Sequence, residues 1–218
     1  MTQKLDGDDW LLWQLADSSF PTGGFAHSNG LEAAWQHGEV RHAADLNSFL
    51  EAALWQMGRG FLPFATAVHD EPSRLAALDL LFEDFQSNQV AKRASRLQGR
   101  ALMASAQRVF APMSLERPFH GHLAPIFGAV TNALGVTRSH AAHLFCYQHL
   151  RGVLSAAVRL GIVGPLEAQS LQHKLAPCAR KVLSHCENLT VREAAQTAPL
   201  LELWQGTQDR LYSRLFQS

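Results

Sequence analysis

Residues 139–160 read SHAAHLFCYQHLRGVLSAAVRL, a stretch in which Arg151 and Arg159 are the only charged side chains. Apolar side chains fall on nearly every face, which marks a helix buried at the centre of a bundle. It is not a membrane span, because its histidines and Gln148 would be stranded in lipid. The whole chain favours the same class of structure. It holds 32 Leu and 31 Ala against 11 Val, 2 Ile and 8 Thr, so residues that lose little rotamer freedom in helices far outnumber β-branched ones. The expectation is an all-α fold: a single compact helical domain over residues 1–218 with about eight to ten helices.

Working outward, Leu123 to Leu134 reads as a helix with Pro125 in its first turn and Gly135 past its end. Pro165 opens another that runs to about His185, with a possible interruption at Pro177. Asp45 to Met57 carries Leu46, Phe49, Leu50, Ala53 and Leu54 at amphipathic spacing, and Gly58, Gly60 and Pro63 break or kink its continuation to His69. Ser73–Phe85 and Asn88–Phe110 add two helices, and Pro112 and Pro118 bound a loop. Near the start, Asp8 to Ser19 forms a short helix with Asp8 or Asp9 as its cap. Phe20-Pro21-Thr22-Gly23-Gly24-Phe25 ends it in a tight loop. Asn29 and Glu32 have capping-box spacing before a second helix, and Thr190 with Glu193 repeats that spacing. Pro199 precedes an amphipathic tail from Leu200 to Phe216.

Nineteen basic and nineteen acidic residues cancel, which argues against a nucleic-acid binder. Charged residues make up only 17% and apolar ones 47%, so burial against partner proteins is expected. The opening residues are too polar and acidic for a signal peptide, and no run of 18 apolar residues occurs. A soluble, cytoplasmic protein without membrane association is expected. Cys146, Cys178 and Cys186 lack CxxC spacing and read as small core residues. No GxxxxGK[ST], GxGxxG or GxSxG pattern is present, which removes the common nucleotide-binding and serine-hydrolase readings.

Four sets of residues stand out. His140 and His143, three apart on one helix, are weak metal candidates, as are the pairs His120 with His122 and His185 with Cys186; structural or solvent-facing histidines are the stronger reading. Lys92, Arg96 and Arg100 line up at i, i+4 and i+8, flanked by Arg93, as a docking ridge for an acidic surface or a solvated face. The tail gathers Leu200, Leu201, Leu203, Trp204, Leu211, Tyr212, Leu215 and Phe216, with Arg210 and Arg214 on one edge. It either packs on its own core or docks a partner. Trp10 and Trp13 in the first helix pose the same choice.

The stretch LLWQLADSSFPTGGFAHSNGLE (11–32) resembles the opening signature of the urease accessory protein F family. Ala94-Ser95 through Gly99-Arg100, Phe127-Gly128 before Gly135, Ser155 to Leu160 and the closing Ser213 to Ser218 continue the likeness in the same order. Ala26-His27 stand where Ser-Tyr is frequent, and Gln208-Asp209 where His-Glu is common. The resemblance implies an all-helical homodimer without catalytic activity that holds no cofactor. It would bridge a D/H-type accessory protein and a nickel-carrying G-type GTPase, then engage apo-urease, with nickel passing through the assembly. It associates the first helix (about 8–19) and the tail (about 199–218) with the D/H-type partner; within them Trp10, Trp13, Arg210, Tyr212, Arg214, Leu215 and Phe216 are the partner-binding candidates. Arg214 would face the GTPase. Pro21, Gly23, Gly24, Phe25, Ser28, Gly30 and Glu32 form the structural motif loop. The alternative is a free-standing helical metal-binding protein or enzyme.

Overall fold

In the computed structural model, which describes residues 8–115 and 118–218, the long apolar run forms helix α8 (Arg138–Arg159), with the Thr137 hydroxyl accepting the His140 amide hydrogen at its start. The other helices are α1 (Asp8–Ala16), α2 (Leu31–Gln36), α3 (Ala43–Gln56), α4 (Leu62–Asp70), α5 (Leu75–Phe85), α6 (Gln89–Val109), α7 (Leu123–Ala133), α9 (Pro165–Cys186) and α10 (Pro199–Thr207). No strand occurs among the described residues. Helix α8 packs against α1, α2, α3, α4, α7 and α9, which is why its sequence is apolar on nearly every side. One contiguous apolar core surrounds it. Each fully buried Leu or Phe in it contributes roughly 1.5–3 kcal/mol by leaving water.

Glycine sets the closest helix approach. A Cβ at Gly128 of α7 would lie 2.1 Å from the Ala65 carbonyl oxygen of α4, so only a bare backbone lets these two helices seat together. The helix begun at Ala43 does not break at Gly58 and Gly60. It passes through a π-helical turn, Met57–Phe61, and continues as α4. Residues in that turn reach elsewhere, as the Arg59 carbonyl accepts the Ala195 amide hydrogen at 3.1 Å.

Several expectations are corrected. Helix α9 runs unbroken through Pro177. The local cost of an internal proline, about 3 kcal/mol, is offset by burial of Leu175, Val182 and Leu183 on either side. The Asn29–Glu32 capping box does not form: Asn29 and Gly30 both take positive φ, and the Ser28 hydroxyl accepts the Glu32 amide hydrogen. The Thr190–Glu193 box does form, around a single 3-10 turn, Val191–Glu193. Helix α1 stops at Ala16, and the tail is not helical to Phe216. Past a 3-10 turn at Gln208–Arg210, the tail's backbone groups pair with other parts of the molecule instead of with each other. The side chains of Asp8 and Asp9, and Glu116 and Arg117 of the proline-bounded loop, lie outside the described residues.

Candidate docking surfaces at the chain ends

The tail is held by a buried carboxylate. Glu32, 2% exposed, accepts hydrogen bonds from the Leu215 and Phe216 backbone N–H groups at 2.6 and 3.1 Å, and from the Gln208 side-chain amide at 2.6 Å. Glycine makes this reach possible. At φ 86°, Gly30 turns the chain into α2, and a Cβ there would come within 3.0 Å of the Gln205 backbone. The motif loop completes the grip: the Ser28 amide and hydroxyl donate to the Ser218 carbonyl, and the Gln217 amide donates to the Ala26 carbonyl. The His27 Nδ1 lies 2.7 Å from the Ser218 hydroxyl. Burial, with the positive charge of Arg93 nearby, lowers the His27 pKa to about 4. Arg159 of α8 lies between the Phe25 and Phe216 rings, 3.7 and 4.3 Å from their centroids, and donates to the Phe25 carbonyl.

This arrangement divides the tail. Phe216 is buried in the chain's own core and is not available as a docking anchor, which corrects that expectation. Tyr212 and Leu215 remain exposed, as do Arg210 and Arg214. Arg214 donates to Asp209 at 2.9 Å, and Arg93 grips the same carboxylate through two hydrogen bonds. Arg210 and Arg214 are therefore not helical neighbours. In the motif loop, Ser28, Gly30 and Glu32 are buried, whereas Pro21, Gly23 and the Phe25 ring face outward.

The first helix is held differently. Leu15 is its only fully buried apolar side chain among those described, with Leu11 and Leu12 partly covered. The Gln148 amide donates to the Leu15 carbonyl at 2.7 Å. Trp10 and Trp13 are 73% and 64% exposed and meet edge to face, with centroids 6.1 Å apart. Two adjacent exposed indoles form a large apolar surface with donor N–H groups, the composition of an interface hot spot.

The basic ridge is not a row of free cations. Lys92 and Arg96 both engage Glu83 of α5, Arg100 donates to the His120 carbonyl, and Arg93 pairs with Asp209. Burial alone would raise the Glu83 pKa, but hydrogen bonds from Arg96, His122 and Lys92 outweigh it and hold the carboxyl at about 2. His120-Gly121-His122 forms a backbone clasp and does not chelate: its three N–H groups donate to the buried Asp79 carboxylate. His122 then contacts Glu83 and Ser95 through its ring. His140 and His143 are exposed, with the His143 Nδ1 on the Ser139 carbonyl, while Cys146 lies buried on the inner side. Among the described residues, no group of three His, Cys, Asp or Glu side chains is placed to hold a metal ion.

Sequence reasoning missed Glu32 as the tail's anchor and Asp79 and Glu83 as the organisers of the ridge. Their acidity amid apolar helix positions was the available signal.

A UreF family profile matches residues 40–176. The chain belongs to the UreF family. Urease accessory protein F of Arabidopsis thaliana is 39% identical over 96% of this chain and 92% of its own length. The protein of the same name from Oryza sativa subsp. japonica is also 39% identical, over 95% of this chain and 84% of its own length. Urease accessory protein UreF of Mycobacterium tuberculosis (strain CDC 1551 / Oshkosh) is 31% identical over 95% of this chain and 98% of its own length. Similarity to these UreF proteins extends over nearly the whole chain, beyond the stretch the profile matches.

Proposed function

We propose that this UreF-family chain is a non-catalytic urease accessory protein that bridges a D/H-type accessory protein and a nickel-carrying GTPase, so that nickel reaches apo-urease. It acts in the cytoplasm as a homodimer. Binding free energy does the work: a scaffold that holds two partners raises their effective concentration toward one another without changing the chemistry of either. The observation that carries this reading is the exposed Trp10–Trp13 pair on a helix anchored by one buried leucine. At the other end, the Glu32 grip fixes the non-helical segment on which Arg214 and Tyr212 are displayed. Nickel is cargo, and no resident cofactor is assigned.

Capture assays with the full chain and each partner test the bridge. Trp10→Ala with Trp13→Ala lowers capture of the D/H-type partner by at least tenfold, which is about 1.4 kcal/mol. Arg214→Ala lowers capture of the GTPase and leaves the first partner bound. Wild-type capture of both by both variants overturns the bridging role. Tight stoichiometric nickel uptake by the isolated chain in equilibrium dialysis favours the metal-binding alternative.

A further inference from the structure

A cavity of about 410 Å³ lies between the motif loop, α6, α8 and the tail. Its volume falls within the roughly 300–1,000 Å³ range of small-molecule sites and far exceeds what one buried water fills. Its wall is mainly apolar, with Phe20, Leu102, Phe145, Leu201 and Phe216 contributing. A well-packed interior leaves few voids larger than a water molecule, so an opening of this size beside the core calls for an occupant.

The charged groups decide what kind. Arg151 and Arg159 of α8 line the cavity against a single carboxylate, Glu202. One Glu202 oxygen accepts from the Gln56 amide, the other is buried without a hydrogen-bond partner among the described residues, and burial raises the Glu202 pKa, which weakens its negative charge in the wall. Arg159 is engaged by Phe25 and Phe216. Arg151 is half-buried and forms no hydrogen bond or ion pair among the described residues. Asp17 lies close enough to feel its charge, but the Asp17 carboxylate accepts the Ser19 amide hydrogen. The two imidazoles in the wall, His27 and His149, are kept neutral near pH 7 by burial, each with a pKa of about 4. The lining thus joins an apolar interior to an unspent guanidinium.

We propose that this cavity binds a small amphipathic anion: an apolar body with a carboxylate head that pairs with Arg151. A planar guanidinium meets a carboxylate with two parallel hydrogen bonds, a stronger interaction than a neutral hydroxyl makes. An amine head is repelled by both arginines. The site stands apart from the exposed tryptophans and is independent of the partner-bridging reading.

Calorimetric titration of the full-length chain with octanoate, octanol and octylamine tests it. Octanoate saturates at one per chain, with affinity at least about tenfold above that of the other two. Arg151→Gln lowers octanoate affinity about tenfold and leaves octanol unchanged, whereas Leu102→Trp, which fills the cavity, abolishes binding of both. Circular dichroism confirms that each variant keeps its helices, and Arg151→Gln carries the test alone if Leu102→Trp does not fold. Absence of saturable octanoate binding overturns the proposal. So does equal binding of the three probes, or octanoate affinity unmoved by Arg151→Gln.

Discussion

The two ends of this chain expose aromatic and apolar residues yet are held by opposite means. The first helix rests on the core through buried Leu15, partly covered Leu11, Leu12 and Ala16 and one side-chain hydrogen bond to α8, leaving both of its tryptophans in solvent. The last eight residues run without a helix, but Glu32, Ser28 and the Ala26 carbonyl hold their backbone, and Phe216 reaches the core. Exposed aromatics on a lightly held element point to a surface built for a partner. Aromatics on an irregular segment fixed by a buried acid belong partly to the fold. The same crowd of large side chains in a sequence therefore carries different meanings at the two ends.

The largest expected effect comes from breaking the better-held end. Glu32→Ala leaves the Leu215 and Phe216 N–H groups without an acceptor and the Gln208 amide with the Phe216 carbonyl alone, and costs about 3–4 kcal/mol, measured by urea unfolding. Limited proteolysis then cuts after Arg210 or Arg214, while the helical circular dichroism is largely kept. An unchanged unfolding midpoint would show that the tail is no more firmly attached than the first helix.

Acid sharpens the comparison next. His27 has its folded pKa lowered from 6.5 to about 4, so the unfolded chain binds the proton first. The stability this contributes is complete above pH 6.5 and is lost as pH falls toward and through 4, by on the order of 3 kcal/mol. Unfolding curves from pH 7 to 3.5 follow the loss, and His27→Asn lessens that slope, with His149, whose pKa burial also lowers to about 4, keeping the remainder. Among the described side chains of the first helix none titrates, so tryptophan-specific probes on it are expected to follow global unfolding.

The smallest stability effect falls on the first helix itself. Trp10→Ala with Trp13→Ala shifts stability by no more than about 0.5 kcal/mol, because neither indole is buried. A loss above 2 kcal/mol would place them in the fold and end their contrast with Phe216.

What was legible in the sequence follows the range of the interactions involved. Helix α8 was readable because its apolar character is written into consecutive residues, and Asn88 caps α6 through its own neighbours Val90 and Ala91. Trp10 and Trp13 could be singled out but not assigned to core or surface, since exposure depends on what lies opposite. The buried role of Glu32 was hidden because its partners Leu215 and Phe216 lie 183 and 184 positions away. The ridge was misread for the same reason: no acid stands between Lys92 and Arg100, but α5 supplies Glu83 from across the helix pair. Pro177 read as an interruption within the helix because local propensity argues for one, and packing on both sides overrides it.

The π-helical turn at Met57–Phe61 has a further consequence for how this chain tolerates change. One surplus residue in a helical rod rotates everything after it by about 100°, so α3 addresses α9 while α4 addresses α7, and both still reach α8. Deleting a single residue from that turn would leave a smoother rod and aim the second half of it at the wrong neighbours. Conservative replacements there should be far milder than any one-residue deletion, which makes this short segment a phase-setting joint.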